Sequence, residues 1–135
     1  VKQPPTLFII DDDPGATLSL VTVLKAHGYQ IQTFGTAVEF LAERDPSQVG
    51  CILIDPVTQG ASIAQLLTWL HEAGSLLSLV IISGLDAPNL IHKKDDSTAV
   101  LQKPFELSAL LTMVADGVAG SLSRHAVRDR SRLRG

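Results

Sequence analysis

Residues 6–28 read TLFIIDDDPGATLSLVTVLKAHG, and the order of side-chain types in this stretch decides the architecture. Thr6–Asp11 is a continuous aliphatic run that ends in carboxylates. Unbroken apolar runs of this length belong to strands covered on both faces, because a half-wet strand would alternate. Asp13 then stands where a helix N-cap belongs, Pro14 occupies the first helical position, and Gly28 lies just past the end. A strand running straight into a capped helix is half of a βαβ unit.

The unit recurs along the chain. Gln30–Phe34, Cys51–Asp55, Leu79–Ser83 and Ala99–Gln102 read as further strands, bounded mostly by Gly, Pro, Asp or Ser. Between them, Thr36 and Glu39 have the spacing of a capping box. Ile63, Leu66, Leu67 and Leu70 make one apolar stripe before Gly74. The longest stripe is Leu107, Leu110, Leu111, Val114, Ala115, Val118 and Leu122. The segment 85–99, LDAPNLIHKKDDSTA, has room only for a short or irregular fourth helix. Strand and helix alternating five times predict an α/β fold, one doubly wound parallel sheet with helices on both faces.

Bulk properties set the bounds. A chain of 135 residues, 45% of them apolar, makes one domain with a core of its own. The longest apolar stretch, around Leu76–Ile82, is too short to span a bilayer, and the N-terminus lacks the apolar centre of a signal peptide. Cys51 is the only cysteine, which excludes an internal disulfide and fits a reducing, cytoplasmic setting. Its place in an apolar strand predicts a small buried hydrophobe. Residues 120–135 carry five arginines against one aspartate, so the overall charge of −3 leaves −7 on the first 119 residues. No aromatics interleave those arginines, which argues against a nucleic-acid surface. The expectation is a domain over 1–120 and a solvated basic tail or linker over 121–135. His27, His71, His92 and His125 have no ligand spacing and are expected at the surface, and Trp69 is expected to pack or flank a helix.

In open parallel sheets, ligands bind beyond the carboxyl ends of the strands. Those ends hold Asp11 and Asp12, then Asp55, Ser83 and finally Lys103-Pro104. Clustered carboxylates repel one another unless a cation joins them. Hard oxygens, one or two of them direct ligands among waters, describe a Mg²⁺ site. A lysine and a hydroxyl beside it suit a phosphoryl group, with Asp55 as the candidate nucleophile. Asp13 is the helix cap. Rival motifs fail on residues: residues 11–22 as an EF-hand loop have Ala16 and Thr22 where Gly and Glu belong. A haloacid-dehalogenase D-x-D-x-T/V pattern breaks at Gly15, and no Gly-rich phosphate loop precedes a helix.

The pieces FIIDDDP (8–14), CILID (51–55), VIISG (80–84) and LQKPF (101–105) resemble the receiver domain of bacterial two-component response regulators, over residues 6 to 120. The 43 residues from Asp12 to Asp55, and the 28 from there to Ser83, match that family's spacing. The resemblance implies a chemotaxis-regulator-like, flavodoxin-type strand order of 2-1-3-4-5. It implies that Asp55 takes a phosphoryl group from a sensor histidine kinase or phosphotransfer protein. Asp12 would bind Mg²⁺ directly, Asp11 through water, and Asp55 and the backbone carbonyl of Val57 would complete its protein ligands. Ser83 would hydrogen-bond a phosphoryl oxygen, Lys103 would pair with the phosphate, and the Lys103–Pro104 bond would be cis. Such a domain is a signalling module that assists its own phosphorylation and dephosphorylation, not a conventional enzyme. A C-terminal effector domain outside this chain and a homodimer are compatible with it; a membrane is not implied, and nucleic acid enters only through a missing domain.

Three departures stand out. Pro56 follows Asp55 directly, and the Met-Pro usual two or three residues further on is missing. Ser83 and Lys103 are 20 residues apart, about two fewer than in the family, and Val100 stands where an aromatic ring is common. The site set predicts a phosphorylatable switch. The altered output face predicts the alternative, a constitutive interaction module on the same fold.

Overall fold

The computed structural model describes residues 4–43, 45–55, 62–83 and 97–134. Five strands lie among them: β1 (Thr6–Ile10), β2 (Gln30–Phe34), β3 (Gly50–Ile54), β4 (Ser78–Ser83) and β5 (Thr98–Gln102). Four helices accompany them: α1 (Pro14–Ala26), α2 (Ala37–Ala42), α3 (Ser62–Glu72) and α4 (Leu107–Arg134). The segment expected to hold a further short helix falls largely on residues 84–96, outside the described ones.

Local chemistry starts these helices where the sequence predicts. Asp13 Oδ1 accepts from the backbone N–H groups of Gly15 (2.9 Å) and Ala16 (3.3 Å), two of the donors an α-helix leaves unpaired at its start. At α2, Thr36 Oγ1 accepts from Glu39 N (3.1 Å), and the Glu39 carboxylate reaches back to Gly35 N (3.0 Å). That is a capping box whose return bond lands one residue early.

The strands form one parallel sheet in the order β2-β1-β3-β4-β5. The chain winds outward from β1 to β2, returns across to β3, and then winds the other way. The switch in order therefore falls between β1 and β3. β3 and β4 are buried along their whole length, as their unbroken aliphatic runs require. One face packs Phe8, Ile10, Ile52, Ile54, Leu79 and Ile81 against Phe40 of α2 and Leu66 of α3. Phe40 meets Phe8, Phe34 and Trp69 edge-on, at centroid distances of 5.5, 5.5 and 5.9 Å. The other face packs Leu7, Ile9, Cys51, Leu53, Val80 and Ile82 against Leu24 of α1 and Leu110, Val114 and Val118 of α4.

Helix α4 departs from its expected stripe. Leu110, Val114 and Val118 are buried, but Leu107 and Leu122 are 48% and 43% exposed and Ala115 is exposed. The buried line continues instead through Ser121, whose hydroxyl donates to Leu76 O (2.6 Å) and accepts from Gly50 N (2.9 Å). A polar residue holds that place because the starts of β3 and β4 present backbone groups that need partners away from water. Gly117 permits the close approach: a Cβ there would stand 3.0 Å from Cys51 Sγ.

Residues 121–134, expected from their charge as a solvated tail, continue α4 instead. Arg124 Nη2 donates to Leu76 O (3.2 Å) and Ser78 Oγ (2.6 Å), and Arg128 Nη2 donates to Gly74 O. The carbonyls beyond a helix C-terminus lack intrahelical donors, and guanidinium groups supply them. Charge alone does not show that two of these arginines face the body of the domain. None of the described helices is long and apolar enough to cross a membrane.

Candidate functional site

The carboxyl ends of four strands converge beyond the switch point. Asp55 is the first residue past β3 and is 9% exposed; Ser83 closes β4 and is 3% exposed. Lys103 follows β5, and its backbone N–H donates to Ser83 O (2.7 Å), which ties the last two strand ends together. Its ammonium Nζ lies 2.5 Å from Asp55 Oδ2. The lysine side chain is 46% exposed and the aspartate side chain 11%, so the ammonium reaches from solvent onto a nearly buried carboxylate. The Lys103–Pro104 peptide is cis.

Asp11 and Asp12 follow β1 beside Asp55. The Asp11 N–H still belongs to the sheet through Phe34 O (3.0 Å), while its Oδ1 accepts from Asp13 N (2.9 Å). Asp11 is half-buried and Asp12 exposed. Asp13 is engaged as the cap of α1, as its position predicts. Val57 and Pro56 lie outside the described residues, so the expected carbonyl ligand of Val57 has no described place.

Among the described residues, three carboxylates thus share this edge with one ammonium. Among the described residues no three His, Cys, Asp or Glu side chains converge on a common point. Mg²⁺ asks for no such cage: it keeps several waters and takes one or two carboxylates directly. The hard carboxylate oxygens that the described residues bring to this edge fit that ion. Ser83 presents a hydroxyl at the same edge, a group that can donate to an anion bound there.

The response regulator receiver domain model matches residues 7–115. The chain belongs to this family. It is similar to the tetrathionate response regulatory protein TtrR of Salmonella typhimurium, 29% identical over 110 residues, which cover 78% of this chain and 52% of that protein. It is likewise similar to the transcriptional regulatory protein FixJ of Azorhizobium caulinodans, 30% identical over 126 residues, covering 92% of this chain and 58% of that one. The chain therefore spans little more than half the length of these relatives. Among solved structures, the response regulator StyR superposes with a TM-score of 0.84 at 28% identity, covering 97% of this chain and 67% of that one. A receiver protein from Sinorhizobium medicae shares the fold, with a TM-score of 0.73 at 20% identity, covering 88% of this chain and 98% of its own.

The receiver fold brings together Asp11, Asp12, Asp55, Ser83 and Lys103 at one sheet edge. Reading the sequence gave no part to Phe105. Its ring packs with the face made by Leu7, Ile9 and Leu53, next to the site. The signal was its position two residues past the site lysine, where the chain turns from β5 toward α4. The Ser121–Arg124–Arg128 series was also missed, because nothing in its pattern separates buried donors from solvated charge.

Proposed function

We propose that this receiver domain accepts a phosphoryl group on Asp55 and thereby biases the state of a partner or of an effector domain outside this chain. The observation that carries this is the Lys103–Asp55 pair: an ammonium 2.5 Å from a nearly buried carboxylate at the switch point, with Asp11 and Asp12 beside it. A buried ion pair by itself is poor evidence of stability, and surface lysines have no need of one. Here the pair aims positive charge at the place where phosphoryl oxygens would develop negative charge.

An Asp55 carboxylate oxygen attacks the phosphorus of a phosphohistidine on a histidine kinase or phosphotransfer protein. The P–O bond to Asp55 forms as the P–N bond breaks, and the leaving imidazole nitrogen takes up a proton. Lys103 then moves its ammonium from the carboxylate to a phosphoryl oxygen, and the Ser83 hydroxyl donates to another. Asp11 and Asp12 would hold Mg²⁺, which when bound would supply charge neutralisation for the transferring group. Asp13 stays with the helix.

Incubation with a small phosphodonor such as phosphoramidate tests this. Label is expected on Asp55, dependent on Mg²⁺, absent in Asp55→Asn and reduced at least tenfold in Lys103→Ala. Label on Asp11 or Asp13 by mass spectrometry would overturn the assignment. Mg²⁺ should also raise the thermal midpoint by mass action, an effect lost in Asp12→Asn and kept in Asp13→Asn, whose amide oxygen still caps the helix. Equal loss in both would move the metal elsewhere.

A second reading rests on Val100. This residue is half-buried and packs against the Phe8–Ile54–Ile81 cluster, where it has neither a ring nor a polar tip to exchange between positions. That favours a module whose docking surface changes little on phosphorylation.

A further inference from the structure

Beneath the site a cavity of about 220 Å³ opens between α1, the sheet and the turn after β5. Ile9, Leu20, Leu53, Ile82 and Phe105 line it together with the small residues Ala16 and Ser19. Asp11, Asp55 and Lys103 line its end at the strand termini. The Ser19 hydroxyl is already spent on Gly15 O (3.1 Å), so the wall is almost purely apolar. Apolar cavities of about 150 Å³ lined by Leu, Ile and Phe stay dry and admit benzene. This one is larger by enough for a ring with a short arm. At its polar end the described lining holds two carboxylates and one ammonium, so among these residues negative charge exceeds positive, which favours a cation over a neutral or anionic head.

We propose that this cavity is a ligand site for a small ring compound bearing one primary amine. The ring lies among Leu20, Leu53, Ile82 and Phe105, and the ammonium sits at Asp11 and Asp55. No covalent step is involved. Because the cation stands at the same carboxylates proposed to hold Mg²⁺, occupancy opposes metal binding; that consequence, unlike the binding itself, rests on the proposed function.

Benzylamine is the probe, titrated into the full chain and followed by two-dimensional amide NMR. Shifts are expected at Ser19, Leu20 and Phe105. Benzyl alcohol, the same size without the charge, is expected to bind at least tenfold more weakly. Ala16→Leu and Ser19→Leu each fill the cavity and should lower benzylamine affinity at least tenfold while circular dichroism shows an unchanged fold; using both guards against one failing to fold. Added Mg²⁺ should raise the apparent dissociation constant. Equal binding of benzyl alcohol, or undiminished binding in both filled variants, would overturn the proposal. If Asp55 takes no label from phosphoramidate but benzylamine still binds with these preferences, the phosphoacceptor reading fails and the ligand site stands.

Discussion

Cys51 has no exposed surface, and burial pushes its thiol up to about 12, with nearby Arg124 offsetting only part of that. The folded chain therefore holds this proton more tightly than the unfolded chain, whose thiol titrates near its ordinary value of 9.0. By linkage, the associated stability is complete below about pH 9 and declines as pH climbs from there toward about 12. Thermal melts across this range should show the decline, and Cys51→Ala should flatten it while lowering the baseline; an equally steep slope in the variant would place the effect elsewhere. At pH 8 iodoacetamide should leave the native thiol untouched while alkylating the denatured chain. Gly50 is constrained in a different way. Its φ is +143°, and a Cβ would stand 1.9 Å from Thr6 O, in the β1–β3 pairing itself. Gly50→Ala should cost about 3 kcal/mol or more, combining backbone strain with a displaced strand, and is read from the urea midpoint. The carboxylates, hydroxyl and lysine could be put at one edge of the sheet from sequence because each lies at or just past a strand's end, and strand ends are marked by a change of residue type. The contact between Lys103 and Asp55 could not, since 48 residues separate the two.

Helix α4 shows where reading by periodicity stops. Aliphatic spacing located the helix and its buried residues Leu110, Val114 and Val118, but counted Leu107 and Leu122 as core when nearly half of each is exposed. The pattern treats Ser and Gly as gaps, and here Gly117 and Ser121 lie on the contact line. The two classes of position predict opposite outcomes. Leu122→Ser should change stability by no more than about 0.5 kcal/mol, as at an ordinary surface site. Ser121→Ala leaves the Gly50 N–H without its hydroxyl and should cost about 1–3 kcal/mol, although the side chain removed is smaller and polar. Ending the chain after Gly120 should cost more than Ser121→Ala, because the Arg124 and Arg128 bonds go with it. If chemical denaturation found the truncated chain equal to the full one, the distal turns would be decoration. Capping signals did better than periodicity: Asp13 and Thr36 were legible because they act on backbone two or three residues away, within reach of a local pattern.

At the scale of the molecule, the question is how far a phosphoryl group would be felt once accepted on Asp55 as proposed. A ligand shifts an equilibrium only by its differential affinity for two states, commonly about 1–3 kcal/mol between coupled sites. Val100 sits in β5 opposite Ile81, packed in one arrangement with the central cluster. The coupling should therefore lie at or below the low end of that range. Hydrogen exchange with and without a beryllofluoride mimic should show changes confined near Asp55 and Ser83, and strong new protection across 86–110 would show that coupling survives without a ring. The two-faced sheet has a further consequence, in the order of synthesis. Strands β1, β2 and β3 are complete once Ile54 is made, yet α4, which covers Leu7, Ile9, Cys51 and Leu53, begins at Leu107. The 52 intervening residues take about 3–10 s to translate at roughly 5–20 residues per second. Throughout that interval, of the described helices only α1 shields that side of the nascent β-sheet, so the ribosome-bound chain passes through a stage with a sticky flank that the finished protein never displays.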